Sequence, residues 1–287
     1  MLVSIRRFLH HRVVNAKNAP KQGAPKQGSP ELIAVMPAAG RARRLGPLPC
    51  SKEILPLPDR SAPGHRLTTG IEQALATARA AGASEAVVVL APDKRDISDY
   101  LGDGSRHGIP LTFLEVENSR SCPETVSRAA EWADGRDMLL LFPDILWEPT
   151  ALLGKLEMLR LGGADVALAL VPSVRGDKVD IVDVDAAGRI TGLAMKPGAG
   201  RSGFTWTCAR WSARFTRFLC QNLSHFADRV EGEAHIGHVV ACAIEAGLDV
   251  RGVSAPDGNS LDIGTLDDFF LAWSSPPSLE PESFGLS

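Results

Sequence analysis

Arg41, Arg43, Arg44 and Lys52 follow an apolar run that ends in the small-residue turn Ala38, Ala39, Gly40, and this grouping suits phosphate chemistry. Backbone N–H groups in such a turn can approach phosphate oxygens without bulky side chains in the way, and the cations that follow supply positive charge. A turn of small residues is also an ordinary link between a strand and a helix, so it carries little alone. Asp144 closes the run LLLFPD. At the end of a strand its carboxylate would sit at the carboxyl edge of a sheet, where open α/β folds bind ligands; an N-cap role fits the same position.

These residues need a scaffold, and the apolar pattern supplies one. Residues 32–36 read as a strand that delivers Ala38, Ala39 and Gly40 to its carboxyl end. Residues 67–82 read as a helix, with Ile71, Leu75 and Ala78 at helical spacing, and residues 85–91 as a buried strand. Further short apolar runs at 111–116, 137–142 and 165–171 give the β, loop, α, β order of a doubly wound sheet. Continuous apolar strands such as MLLLF are what burial on both faces demands. Residues 185–189 read as a β-hairpin turn whose second arm, 190–195, leads into Lys196 and Pro197. A helix over 233–246, a strand over 250–254 and a helix after Thr265 complete the body.

The chain has 287 residues, 44% hydrophobic and 23% charged, enough for one large α/β domain over residues 31–273. Residues 1–30 carry a tandem APKQG and many cations with no acid before Glu31, the composition of a basic, disordered leader; a short amphipathic helix over residues 2–14 is the other reading. Residues 274–287, rich in Pro and Ser, read as a disordered tail. A net charge of -3 without basic blocks in the body argues against nucleic acid as a partner. Five scattered cysteines without C-x-x-C spacing indicate neither a disulfide framework nor a zinc knuckle and suit a reducing cytoplasm. No apolar run approaches bilayer length, so no membrane is expected. A homo-oligomer is left open.

The segment from Glu31 to Leu57 as a whole resembles the signature of sugar-1-phosphate nucleotidyltransferases: a small-residue loop, G-x-R, and a distant P-K-x-x-L-P, here the run KEILPL. It is most similar to the branch that joins UTP or dTTP to glucose 1-phosphate. The resemblance extends over roughly residues 31–270. It implies a Rossmann-like three-layer α/β/α fold with a mixed, mostly parallel sheet and a β-hairpin insertion. By the same resemblance Arg44 and Lys52 grip the triphosphate, with Ala38, Ala39, Gly40 and the position of Glu124 around the nucleotide. Asp144 and Asp262, the latter in SLDIGT, correspond to two acids that hold one Mg²⁺. Lys196 matches the lysine of E-K-P that binds the phosphate of the sugar 1-phosphate, and His235 falls at a sugar contact. The implied partners are a nucleoside triphosphate and a sugar 1-phosphate.

Several positions depart from that pattern. Ala42 replaces glycine and Arg43 threonine, so the loop is expected not to use positive φ at residue 42 and to follow another path. Glu124 replaces a glycine beside the nucleobase, where a carboxylate would repel phosphate. Met195 replaces the glutamate of E-K-P, and His235, in GEAHIGH, replaces another sugar-contacting acid. These losses point to another sugar, a relaxed activity, or a non-catalytic sensor of nucleotide or sugar nucleotide. Cytidylyl transfer to an alcohol phosphate is a further alternative, since P-A-A-G opens that related family. His235 and His238 are spaced as a metal pair but lack a third ligand. Trp206 and Trp211 lie near the substrate wall, with core packing and sugar stacking both open.

Overall fold

The computed structural model describes residues 13–15, 31–59, 66–117, 119–229 and 232–274. The first half of the chain lays down parallel strands with helices between them. β1 (Val13–Asn15) and β2 (Leu32–Pro37) precede a small antiparallel pair, β3 (Pro56–Pro58) and β4 (Leu67–Thr69). α1 (Gly70–Ala80), β5 (Glu85–Leu90), α2 (Arg95–Leu101) and β6 (Leu111–Glu115) follow, then α3 (Cys122–Ser127), α4 (Ala130–Ala133) and β7 (Asp137–Leu141). β6, β5, β2 and β7 are hydrogen-bonded in that order, all parallel, with β1 added to the edge of β6.

The second half turns the sheet antiparallel. β8 (Ile145–Glu148) leaves it, α5 (Leu152–Leu161) crosses, and β9 (Val166–Ser173) returns to it. The hairpin β10 (Ile181–Val184) and β11 (Ile190–Ala194) is followed by the long β12 (Gly203–Trp211), which pairs antiparallel with β7, β9 and β10. α6 (Ala213–Gln221), α7 (Leu223–Arg229) and α8 (Ile236–Glu245) lead to β13 (Val250–Ser254), parallel to β9. β14 (Asn259–Asp262) pairs with β8 in a separate two-stranded sheet, and α9 (Leu266–Ser274) ends the described chain. Mixed pairing with helices on both faces confirms the three-layer fold and its hairpin.

Burial shows how the sequence produces these layers. Side chains alternate faces along a strand, so a strand apolar at every position feeds two cores. Ile33, Val35, Val87, Val89, Met138 and Leu140 pack on one side with Phe215 and Val239 from α6 and α8. Leu32, Ala34, Met36, Val88, Leu139 and Leu141 pack on the other with Ile71, Leu75 and Leu156 from α1 and α5.

Several boundaries differ from the sequence expectation, and the helix expected over 233–246 runs over Ile236–Glu245. The helix expected over 67–82 begins at Gly70: residues 67–69 pair with β3, and Thr69 caps the helix by accepting from the Glu72 N–H at 3.2 Å. A cap side chain needs extended backbone, and Thr69 has it at φ -128°. Within the stretch expected to be a disordered leader, Val13–Asn15 forms β1; the rest of residues 1–30, and the tail beyond Ser274, lie outside the described residues.

Candidate functional site

The carboxyl ends of β2 and β7 meet at one edge of the sheet. Ala38 is buried and its N–H donates to Val89 O at 2.8 Å, while Ala39 is half-buried and Gly40 exposed, with open space around its Cα. Ala42 then adopts φ 49° and ψ 30°, so the loop takes the left-handed turn that the sequence argued against. Its Cβ is carried at a steric cost of about 1–2 kcal/mol. The following 3₁₀ turn, Arg43–Leu45, buries Leu45 and turns Arg44 outward.

Arg44 reaches the opposite wall. A Cβ on Gly264 would lie 2.9 Å from Arg44 Nη2, so the guanidinium rests on that glycine, beside Asp262. Burial raises the Asp262 carboxyl and Asp144 raises it further, opposed by the Gly264 N–H, which donates to Asp262 Oδ1 at 2.7 Å, and by Lys52 and Arg44. The β8–β14 ladder brings the acids together: Asp262 is registered opposite Ile145, and the Ile263 N–H donates to Asp144 O at 2.9 Å. Lys52 forms an ion pair with Asp144. Its ammonium is destabilised by burial, but Asp144 and Glu53 outweigh this and raise its pKa. Arg44, Lys52, Asp144 and Asp262, dispersed in sequence, thus form one cluster.

Lys52 is fixed by its neighbours on both sides. Ser51 donates through N–H and Oγ to Asp96 at 2.6 and 2.7 Å. Glu53, 2% exposed, accepts from buried Lys94 Nζ through both carboxylate oxygens at 2.8 and 2.7 Å. Lys94 and Asp96 sit at the start of α2, and sequence reading missed both because their partners are about forty residues away along the chain. The turn after β7 is held as closely: a Cβ on Gly70 would fall 2.0 Å from Pro143 O, so only glycine lets α1 start against it.

Two openings flank the cluster. A groove of about 670 Å³ runs along the loop, lined by Ala39, Arg41, Ser51 and Lys52. A cavity of about 180 Å³ on the other side is lined by Phe142, Asp180, Lys196, Trp206, His235 and Asp262. Burial lowers the His235 pKa and Lys196 lowers it further, against Asp180 and Glu233, which favours the neutral imidazole. Arg175 and Lys178 also line the cavity and share Asp268, at 2.7 Å each. Burial raises the Asp268 carboxyl, but hydrogen bonds from Lys178, Thr265 and Arg175 prevail and hold it at about 2.

The remaining candidates separate cleanly. Trp206 lines the cavity and meets Phe142 edge-on at 5.6 Å, whereas Trp211 is fully buried and donates to Thr216 Oγ1 at 3.0 Å as a core residue. Glu124 accepts from the Arg120 N–H at 2.9 Å and from Arg128 at 3.2 Å, so its carboxylate fastens the start of α3. His238 Nδ1 accepts from the His235 N–H at 3.0 Å, which makes the histidine pair a helix-start device. Among the described residues no three His, Cys, Asp or Glu form a metal cluster. Asp144 and Asp262 nevertheless offer the donor set that suits Mg²⁺, one or two carboxylates completed by substrate phosphates. Among the described residues no helix is long and apolar enough to cross a membrane.

Comparison with known proteins bears on the fold. No protein-family model matches the chain. The low-salt glycan biosynthesis nucleotidyltransferase Agl11 of Haloferax volcanii is 24% identical over 166 residues, 57% of this chain and 44% of that protein, so the match spans less than half of the relative's length. A Bacillus anthracis protein described as a glucose-1-phosphate thymidylyltransferase, solved with sucrose, superposes with a TM-score of 0.70 at 14% identity, over 84% of this chain and 93% of that one. A UDP-glucose pyrophosphorylase complexed with UDP-glucose gives a TM-score of 0.67 at 14% identity, over 84% and 97%. The fold is that of sugar nucleotidyltransferases, and the resemblance read from the sequence is borne out.

Proposed function

We propose that this chain transfers a nucleotidyl group from a nucleoside triphosphate, UTP or dTTP by the run KEILPL, to a sugar 1-phosphate, giving a nucleotide sugar and pyrophosphate. The observation that carries the reading is the Lys52–Asp144 pair, with Arg44 and Asp262 beside it, set between a loop groove and a cavity containing Lys196.

In the reaction a phosphate oxygen of the acceptor attacks the α-phosphorus, the bond from α-phosphorus to the bridging oxygen breaks, and pyrophosphate leaves with the electron pair. Such chemistry needs positioning and charge stabilisation more than a protein nucleophile. Arg44 and Lys52 would hold the triphosphate over the loop amides, and Lys196 the acceptor phosphate. Mg²⁺ on Asp144 and Asp262 would supply charge neutralisation when bound. Lys52 would exchange its ion pair with Asp144 for a phosphate, a replacement of one anion by another. A nucleotide sensor on the same fold is the second reading, favoured by Met195 and His235 at positions where acids are expected. The left-handed turn at Ala42 removes the altered loop path from its support.

The test measures pyrophosphate release from UTP, dTTP, CTP, GTP and ATP against a panel of sugar 1-phosphates with Mg²⁺. Release confined to one pair, and abolished in Asp144→Asn, is expected. Unchanged turnover in Asp144→Asn would falsify the assignment of that residue, and nucleotide binding without turnover across the panel would replace the transferase by the sensor.

A further inference from the structure

Two acids that the resemblance expects around the sugar are absent, and a third carboxylate lies between their positions. Asp180 immediately precedes β10. The antiparallel register of β10 and β11 places Ile181 opposite Ala194, so continuing it by one residue sets Asp180 across from Met195, where the first acid is missing. On its other side Asp180 faces the start of α8. A Cβ on Gly237 would lie 2.4 Å from Asp180 Oδ2 and 3.5 Å from Met195 Cγ, so the carboxylate occupies space that only a glycine leaves open. His235, where the second acid is missing, precedes the first residue of α8, and its ionisation responds to Asp180. Asp180 lines the same cavity as Lys196, His235 and Trp206. It accepts a hydrogen bond from Trp206 Nε1 at 3.3 Å, and a carboxylate has about four acceptor positions.

We propose that Asp180 is the specificity-determining carboxylate of the acceptor cavity, accepting a hydrogen bond from a ring hydroxyl of the sugar whose phosphate Lys196 holds. This rests on the sugar-phosphate reading above. One acid, entering from the first arm of the hairpin, takes over the task of two acids that would enter from its second arm and from the segment before α8. Trp206 orients the carboxylate through its indole N–H, and Gly237 admits it.

The test uses the full chain with the active sugar 1-phosphate and its monodeoxy analogues, measuring KM by pyrophosphate release and Kd by calorimetry on the sugar phosphate alone. A hydrogen bond to a charged group corresponds to about 10–100-fold, so one deoxy analogue is expected to bind the parent protein weaker by that factor. Asp180→Ala loses the same factor for the full sugar and no longer distinguishes that analogue, while KM for the nucleotide holds. Gly237→Ala, which displaces the carboxylate, shows the same loss of discrimination should the alanine variant unfold, and Asp180→Asn, whose amide oxygen still accepts but carries no charge, shows a smaller loss. Discrimination retained in all three, or an equal loss for nucleotide and every acceptor, overturns the proposal and leaves Asp180 as a structural partner of Trp206. Absence of turnover in the parent refutes the transferase reading separately, and the calorimetric comparison still decides Asp180. A parent that binds no sugar phosphate overturns both.

Discussion

Replacing Lys94 by Met tests whether the turn that carries Lys52 is held by charge. Lys94 and Glu53 are buried together, and both Glu53 oxygens accept from Lys94 Nζ at 2.8 and 2.7 Å. Methionine has nearly the same length, so little cavity is created and the loss is electrostatic. Removing one partner of a buried pair strands the other charge and costs about 3–5 kcal/mol, a large part of the roughly 5–15 kcal/mol that holds a domain together. Lys52 is no substitute, because it is paired with Asp144. Burial raises the Glu53 carboxyl while Lys94 and Lys52 lower it, so without Lys94 the folded value rises further. A carboxyl raised in the folded state contributes stability that is present below its unfolded value and lost as pH rises through the folded one. The deficit of Lys94→Met should therefore be smallest in acid and widen toward neutral pH, and the neutral pair Glu53→Gln with Lys94→Met should recover part of it. Urea denaturation at several pH values, with the slope m checked for constancy, measures each quantity. A loss below about 1 kcal/mol, or one independent of pH, would refute the reasoning, since a buried unpaired carboxylate cannot be that inexpensive.

Three other outcomes follow from the same geometry. Ala42→Gly relieves the left-handed strain of about 1–2 kcal/mol against about 0.4–1 kcal/mol of added unfolded-chain freedom, so the denaturation midpoint should rise modestly; a fall would show that the Cβ is not strained. Lys196→Met should raise KM for the sugar phosphate roughly tenfold or more while leaving the nucleotide KM in place, and an equal rise in both would remove Lys196 from the acceptor side. His235 has a lowered pKa, so its contribution to stability is present above the ordinary value of 6.5 and lost as pH falls through the folded value. Stability measured from about pH 7.5 to 5 should fall less steeply in His235→Gln, and superimposable curves would dismiss the effect.

The strands were legible because each is short, apolar throughout and bounded by turn residues, as in LIAVMP and DMLLL. Arg44, Lys52, Asp144 and Asp262 were legible as types in a recognisable order. Glu124 shows what residue type leaves out: read alone it is a charge near phosphate, and the structure adds that its oxygens accept from the Arg120 N–H and from Arg128. Ala42 shows the same for backbone, since local preference disfavours positive φ and the surrounding loop imposes it.

Asp180 and Lys94 belong to a different category. Asp180 became meaningful only when hairpin register set it opposite Met195 and α8 brought Gly237 against it. Lys94 became meaningful only when α2 packed beside the turn that carries Lys52. The sequence alone determined the alternation of strands and helices, the two-faced burial of the sheet and the supply of cations after β2, because these depend on side-chain type and local periodicity. Tertiary structure decided which charges are paired, which are left facing a cavity and which residues position them, because Coulomb and hydrogen-bond interactions act over a few ångströms of space whatever the separation along the chain.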